Sequence, residues 1–203
     1  MSERRLLTVC GSLQARSTNR AALDAVVTHL GGFVVDDFDR LDEIPAFDGS
    51  DDGGPVVDDW RGRIAGADVV LMAVPEYAGG MAGALKNALD WIVGSGELYR
   101  KPVALMSAGT SGGSNARRTA AQTLSWQGAY VVADLGIAAP RTKFDAGGTV
   151  HHQATASDIA ALADAVASAP DLEPGELFAR VMGVLGALDV DTAHVPPALH
   201  PTS

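Results

Sequence analysis

The chain has 203 residues, 47 % of them hydrophobic, and a formal net charge of −10. The length suits one domain with a small appendage, and the hydrophobic fraction is too high for a disordered chain. The negative charge argues against a nucleic-acid or anionic-membrane surface, because both polyanions would repel the molecule.

Cysteine usage and the N-terminus bear on the cellular compartment. Cys10 is the single cysteine, so an intrachain disulfide framework is excluded, and its place at the end of an apolar run indicates a small buried residue. The first ten residues lack the cleavage site of a signal peptide, and no apolar run approaches the ~20 residues of a membrane span. We therefore expect a soluble cytoplasmic protein.

Strand and helix patterns alternate from the start of the chain. Residues 5–10 form a short apolar run that predicts a first strand, and apolar residues at helical spacing predict a helix from about Ser17. Residues 33–38 predict a second strand, whose alternation with acidic residues suits an outer position in a sheet. A long acidic connection at 39–55 then leads to a helix at about 56–65.

The most informative stretch follows at residues 68–91. An uninterrupted apolar run at 69–74 predicts a third strand that is buried on both faces. Pro75-Glu76-Tyr77 breaks the run, glycines follow, and apolar residues from Met81 to Ile92 recur at helical spacing. The turn would lie at the carboxyl end of the strand, where open parallel sheets bind ligands.

The remaining chain repeats the alternation twice more. Residues 101–107 predict the fourth strand, and a loop with three glycines leads to a helix that ends near Trp126. Residues 129–135 predict the fifth strand, and after an irregular segment another helix begins near Ser157. This alternation predicts an α/β fold, a doubly wound five-stranded parallel sheet with helices on both faces and right-handed crossovers.

Residues 171–203 are an addition to this domain, which we assign to residues 1–170. Pro174 could open a further helix, and three prolines near the end of the chain indicate an irregular tail. The apolar stripe of this helix could pack on its own domain or on a partner subunit, and the sequence favours neither. The stripe consists of Leu177, Val181, Val184, Leu185 and Leu188.

The loop at residues 11–19 has the chemistry of an anion site. Its hydroxyls, amide and backbone N–H groups converge on a helix N-terminus, where the helix dipole favours an anion. Ser17 and Asn19 could equally serve only to cap the helix. The loop has neither the Walker nor the G-x-G-x-x-G pattern, so a phosphate monoester suits it better than a nucleoside triphosphate or a Rossmann-bound NAD. Arg16 could contact the phosphate or be a solvated surface arginine.

Loops after the first, third and fourth strands together resemble those of the NADPH-dependent FMN reductase family, a flavodoxin-like group that includes quinone, azo-dye and chromate reductases. The similarity covers roughly residues 5–170. Its most specific element is the string P-E-Y…G…L-K-N-A-x-D-W at residues 75–91. The first loop contributes Gly11-Ser12-Leu13 with Ser17 and Asn19, and the last contributes Ser107, Gly109, Gly112 and Gly113.

The resemblance implies a flavodoxin-like fold with strand order 2-1-3-4-5 and FMN at the switch point. By this resemblance the FMN phosphate would bind Ser12, Arg16, Ser17 and Asn19. The isoalloxazine would lie against Pro75, Glu76, Tyr77, Ala78 and Gly79. Its pyrimidine edge would face Ser107, Gly109, Gly112 and Gly113.

The resemblance also implies an FMN-dependent NAD(P)H oxidoreductase. A hydride from NADPH or NADH would reach the flavin, and electrons would pass to a small acceptor such as free flavin, a quinone or a related electrophile. The cofactor carries this chemistry, so we name no catalytic side chain. A homodimer or homotetramer is expected by the same resemblance. The alternatives are a flavodoxin-like electron carrier without NAD(P)H turnover and a family member that has lost flavin.

Two positions depart from the family pattern. Gln14 stands where members often have arginine, which removes one charge near the phosphate, and Ala78 stands where the family turn has asparagine. We expect altered affinity or substrate preference with flavin binding retained.

Other polar residues have plain interpretations. Lys86 and Asp90 have the spacing of a surface ion pair on a helix. Glu76 could fix its turn or reach across a subunit interface. No metal site is expected, because the adjacent His151 and His152 face differently and no suitably spaced ligand completes a set.

Overall fold

A five-stranded parallel sheet carries the fold in the computed structural model, which describes residues 3–193 and 195. The strands are β1 (Arg4–Cys10), β2 (Phe33–Phe38), β3 (Val69–Ala73), β4 (Glu76–Tyr77), β5 (Gly80–Met81), β6 (Pro102–Gly109) and β7 (Tyr130–Ala138). The helices are α1 (Thr18–Val27), α2 (Gly54–Gly66), α3 (Gly83–Asp90), α4 (Ser114–Trp126), α5 (Gln153–Ser168) and α6 (Pro174–Ala187).

The sheet has the order β2-β1-β3-β6-β7, and every neighbouring pair is parallel. Without the short strands β4 and β5, this is the predicted order 2-1-3-4-5, so the predicted fold class is confirmed. All five residues of β3 are buried because the strand lies at the centre of the sheet. Strand β2 lies at an edge, where Val34 and Val35 are partly exposed, as its acidic pattern indicated.

The helices cover both faces of the sheet. Helices α1 and α5 contact each other. Helices α2, α3 and α4 are joined on their own side by hydrogen bonds from Trp60 Nε1 to Ala88 O (2.9 Å) and from Gln127 Nε2 to Leu89 O (3.0 Å). This two-sided packing leaves the carboxyl ends of the strands as the open edge of the molecule.

Four predicted boundaries are wrong. Strand β6 runs to Gly109, two residues beyond the predicted end. Strand β7 runs to Ala138 rather than residue 135, because its last three residues continue the pairing with β6. Helix α5 begins at Gln153 rather than Ser157, since His152 caps it through a hydrogen bond from Thr155 N to Nδ1 (3.3 Å). Met81 lies in β5, so α3 begins only at Gly83.

The C-terminal helix packs on its own domain. Helix α6 contacts β7, and Val181 and Leu185 on its stripe are buried. Arg180 Nη1 donates hydrogen bonds to Ala165 O (3.3 Å) and Ser168 Oγ (3.0 Å) and so ties α6 to α5. The predicted irregular tail with Pro196, Pro197 and Pro201 lies outside the described residues. Of the helices that the structure describes, none is both long and apolar enough to cross a bilayer.

Strands β4 and β5 form a tight hairpin whose tip has a strained residue. Glu76 pairs with Met81 and Tyr77 with Gly80, so Ala78 and Gly79 are the two tip residues. Both have positive φ, 51° for Ala78 and 77° for Gly79. Such a turn favours Asn-Gly, because asparagine and glycine tolerate the left-handed region and alanine does not.

Replacing Ala78 with asparagine should therefore stabilise the protein by about 1 kcal/mol. Urea unfolding of Ala78→Asn measures the gain in the free energy of unfolding. Gly79→Ala provides the opposite control, because it places a second Cβ at positive φ and should destabilise by a similar amount. Equal stability of wild type and Ala78→Asn would contradict the left-handed conformation at residue 78.

Candidate functional site

A cavity of about 650 Å³ opens at the carboxyl ends of the strands. Its walls come from four segments. They are the loop after β1 (residues 11–17, the anion loop), the β4–β5 hairpin, the end of β6 with the loop that follows it (residues 108–113, the glycine loop) and the segment after β7 (residues 139–142). We call it the site cavity. It is lined by Ser12, Gln14, Arg16, Ser17, Thr18, Asn19, Pro75, Glu76, Tyr77, Ala108, Gly109, Thr110, Ser111, Gly113, Ala139, Pro140, Arg141 and Thr142.

The loop after β1 presents an anion-binding surface at the N-terminus of α1. Ser17 Oγ accepts a hydrogen bond from Asn19 N (3.2 Å), so Ser17 is the N-cap of α1. This agrees with the predicted capping role of Ser17. Within the described residues, no hydrogen bond is donated by the backbone N–H groups of Arg16 and Thr18. These free donors and the helix dipole favour an anion at this end of the cavity.

Two side chains of α1 hold the anion loop beside the glycine loop. Asn19 Oδ1 accepts a hydrogen bond from Ala108 N (2.8 Å), and Thr18 Oγ1 donates one to Ala108 O (2.7 Å). Both backbone groups of Ala108 are thereby satisfied. The carbonyl oxygen of the largely buried Asn19 thus has a positioning role, which the sequence pattern alone did not reveal.

The β4–β5 hairpin forms one wall of the site cavity and is anchored to α4. Glu76 Oε2 accepts hydrogen bonds from Asn115 N (2.9 Å) and Ala116 N (3.2 Å) at the start of that helix. Glu76 therefore fixes its turn within this chain. Tyr77 lines the cavity and is half exposed, whereas the tip residues Ala78 and Gly79 do not line it.

The glycine loop after β6 is closely packed on its inner side and open on the other. A Cβ at Gly109 would meet nothing within 4 Å, whereas one at Gly113 would lie 2.6 Å from Ser107 Cβ and closer still to Ser107 Oγ. Ser107 is fully buried under Gly113, and its hydroxyl has no hydrogen-bond partner among the described residues. Ser107 and Gly112, both predicted at the site, therefore do not line the cavity.

Helix α4 secures this loop through a largely buried ion pair. Arg117 donates to Gly112 O through Nε (3.1 Å) and to Asp134 Oδ2 through Nη1. The two side chains are 12 % and 17 % exposed. Burial raises the pKa of Asp134 above its ordinary value, and the neighbouring Arg117 opposes that rise.

The segment after β7 supplies a fourth wall that sequence reasoning missed. Ala139 N donates to Gly109 O (3.2 Å) and Thr110 O (3.3 Å), so the segment is joined to the glycine loop. Arg141 and Thr142 then line the site cavity. A fifth strand extended to Ala138 would have pointed to them, because they follow its carboxyl end.

The charge around the site cavity differs from that of the whole molecule. Its lining contains two arginines, Arg16 and Arg141, and one acidic residue, Glu76, whose Oε2 already accepts two N–H groups. In the part of the chain that the structure describes, neither arginine forms an ion pair. In a chain with a net charge of −10, this end of the molecule suits a small anion.

Several side chains outside the cavity have structural roles. Lys86 and Asp90 form the predicted ion pair (2.5 Å), and the buried Trp91 donates from Nε1 to Pro45 O (2.8 Å). Cys10 is buried, and burial raises the pKa of its thiol. Across the described ranges, no group of three His, Cys, Asp or Glu side chains is arranged to hold a metal ion.

The sequence and the fold match known flavoenzymes. The model of the NADPH-dependent FMN reductase family matches residues 4–143. An NAD(P)H-dependent FMN reductase of Pseudomonas aeruginosa is 31 % identical over 71 % of this chain and 83 % of its own length. A probable NADPH:quinone oxidoreductase of rice, Oryza sativa, is 36 % identical over 52 % of this chain and 58 % of its own length. The NAD(P)H:(acceptor) oxidoreductase FerB of Paracoccus denitrificans shares the fold, with a TM-score of 0.71 and 22 % identity over 83 % of this chain and 97 % of that one.

Proposed function

Because this chain belongs to the NADPH-dependent FMN reductase family, it is an FMN-dependent NAD(P)H oxidoreductase, and we propose that the site cavity is where it binds FMN. The single observation that carries this assignment is the anion loop. Free backbone N–H groups, hydroxyls and one arginine lie there at the N-terminus of α1, within a cavity of about 650 Å³. That volume lies within the range of small-molecule sites.

The donors of the anion loop fit a phosphate monoester. Ser12 and Ser17 supply hydroxyls, and the helix N-terminus supplies N–H groups and a favourable dipole. Arg16 adds a charge-assisted contact to the phosphate. It would replace the arginine that family members often have at the position of Gln14. We therefore assign the FMN phosphate to this end, with Asn19 as a positioning residue.

The opposite end of the cavity fits a flat ring. Pro75 and Tyr77 form one wall, and the absence of a side chain at Gly109 allows a close approach to the backbone. When bound, FMN supplies the two-electron chemistry between NAD(P)H and an acceptor. The protein's own part is to hold the ring between the hairpin and the glycine loop and to leave one face open to reactants.

We also propose the partners of the reaction from the relatives' functions. NADPH or NADH is the donor, and a quinone or free flavin is the acceptor class, since the relatives include a probable quinone oxidoreductase and an FMN reductase. The FMN-binding unit comprises residues 1–170. We propose a homodimer or homotetramer, which is supported by the exposed apolar side chains of Val93 and Trp126. We also propose a cytoplasmic location.

Replacing Arg16 with glutamine should weaken FMN binding about tenfold, because a charge-assisted hydrogen bond to the phosphate is lost. Riboflavin has the same ring and no phosphate, so its dissociation constant should not change. Quenching of flavin fluorescence measures both constants. Arg118→Gln is the matched control, because Arg118 is exposed on α4 and lies outside the site cavity. An equal rise in the dissociation constants of FMN and riboflavin would contradict the assignment of the phosphate to this loop.

A further inference from the structure

A second cavity, of about 820 Å³, adjoins the anion end of the site cavity. It lies between α1 and the segment at 144–148, and we call it the outer cavity. The two cavities share Arg16, Ser17, Thr18, Pro140 and Arg141 in their linings. The N-terminus of α1 therefore lies where the two cavities meet.

The junction of the two cavities has more positive charge than one phosphate requires. Arg16 approaches it from the loop after β1 and Arg141 from the segment after β7. Neither has an ion-pair partner in the described residues, whereas the nearby Arg20 is paired with Asp37 (2.8 Å). The phosphate of FMN already has Arg16 and the helix N-terminus. Arg141 is thus available to a second anion.

The far part of the outer cavity suits neutral hydroxyls instead. Its carboxylates are Asp24, which Arg20 approaches to 3.9 Å, and Asp145. Asp145 Oδ1 accepts hydrogen bonds from Gly147 N and Thr149 N (both 2.8 Å). No such bond to its Oδ2 is seen in the described residues, and a carboxylate oxygen readily accepts from a sugar hydroxyl. Cations at the junction followed by hydroxyl acceptors match a nucleoside diphosphate.

We propose that the outer cavity binds the adenosine diphosphate half of the nicotinamide donor, with Arg141 as its diphosphate contact. The inference rests on the proposed function, in which the nicotinamide meets the flavin ring in the site cavity. The diphosphate then passes close to the FMN phosphate. Arg16 and Arg141 on either side offset the repulsion between these anions, which would otherwise weaken donor binding.

A truncated donor tests this assignment on the FMN-loaded protein. In Arg141→Gln, the apparent dissociation constants of NADPH and NADH should rise about tenfold, as anaerobic stopped-flow bleaching of the flavin reports. Reduced nicotinamide riboside has neither the phosphates nor the adenosine and should bleach both proteins alike. Calorimetric binding of ADP should weaken by the same factor. Arg118→Gln is the control for a lost surface charge.

A second variant tests the cavity itself. Ala146 is exposed and lines the outer cavity but not the site cavity. The indole of Ala146→Trp should therefore fill the outer cavity without entering the site cavity. It should impair both dinucleotides and ADP, with FMN and the riboside unaffected. Equal effects on the riboside and the dinucleotides, or loss of FMN from Ala146→Trp, would overturn the inference. So would FAD binding more tightly than FMN in an Arg141-dependent way, since the cavity would then hold the adenylate of FAD.

The same measurements separate this inference from the proposed function. If the dinucleotides bleach the wild-type protein and both variants equally well, only the proposed role of the outer cavity is contradicted. Wild-type protein that retains FMN and is not bleached by either dinucleotide contradicts the proposed function as well.

Discussion

Arg117→Met should destabilise the protein by about 3 kcal/mol and also weaken FMN binding. Arg117 is the largely buried partner of Asp134, and its Nε donates to Gly112 O at the glycine loop (3.1 Å). Removing it leaves the carboxylate of Asp134 buried beside no cation, and Oδ1 of that group already has no partner among the described residues. The carbonyl of Gly112 loses its donor in the same step, so the loop that we propose to face the flavin ring is released.

Urea unfolding and FMN titration measure the two consequences separately. Arg118→Met is the control on the same helix, and because Arg118 is exposed it should change stability by less than about 0.5 kcal/mol. In the double variant Arg117→Met, Asp134→Leu, the buried charge is absent and much of the stability should return, whereas the loop should stay loose. Stability equal to that of Arg118→Met would show that the ion pair does not hold this loop.

The deficit of Arg117→Met should also depend on pH. Burial already raises the pKa of Asp134, and loss of the arginine raises it further. The folded protein then binds this proton more tightly than the unfolded chain does, so the free energy of unfolding falls as pH rises from the ordinary pKa through the raised one. The deficit should therefore be full above the raised pKa and shrink as the carboxyl becomes protonated on acidification.

Gly113→Ala should cost about 3 kcal/mol of stability, for two reasons that act together. Gly113 has φ of 65°, which alanine adopts only with strain. Its Cβ would also overlap the buried side chain of Ser107, so the core beneath the loop must shift. Thermal or urea unfolding measures the loss.

Two further variants separate packing from binding at this loop. Gly109→Ala should leave stability nearly unchanged, because a Cβ there meets nothing within 4 Å. It should nevertheless weaken FMN binding, because the new methyl group would occupy the space that we propose for the ring. Gly113→Ala combined with Ser107→Gly removes the overlap and should recover all but about 1 kcal/mol, the cost of the left-handed backbone. No loss of stability in Gly113→Ala would contradict the packing of Gly113 on Ser107.

The alternation of strands and helices could be predicted because it depends on patterns local to each element, whereas the strand order 2-1-3-4-5 was implied by the family resemblance. The apolar run at residues 69–74 indicated a strand buried on both faces, and the acids of β2 indicated an outer strand. Family membership was predicted from the string at residues 75–91, which joins a buried strand, a turn and an amphipathic helix. Both predictions are confirmed.

The parts of the site that escaped prediction depend on contacts between distant segments. Asn19 appeared as a phosphate ligand, but its Oδ1 is bonded to Ala108 N, 89 residues away. Ser107 is polar at the right sheet edge, yet Gly113 covers it. Arg141 follows a strand whose last three residues, Gly136, Ile137 and Ala138, have no strong strand pattern. None of these relations is encoded in the spacing of neighbouring residues.

The two departures from the family pattern have different physical consequences. Ala78 lies at the hairpin tip outside the site cavity. We therefore expect residue 78 to affect the stability of the turn more than the binding of flavin. Gln14 lines the cavity and leaves Arg16 as the cation of the anion loop. We therefore expect retention of FMN binding to depend on Arg16 more than on Ala78.

The most direct test of the account is an anaerobic titration of the FMN-loaded protein with NADPH and NADH, followed by flavin absorbance. We predict that the protein takes up one FMN, that the flavin is bleached by the dinucleotide, and that a quinone restores the oxidised spectrum. A protein that takes up no FMN would contradict the assigned cavity. A yellow protein that neither dinucleotide bleaches would contradict the oxidoreductase and indicate an electron carrier instead.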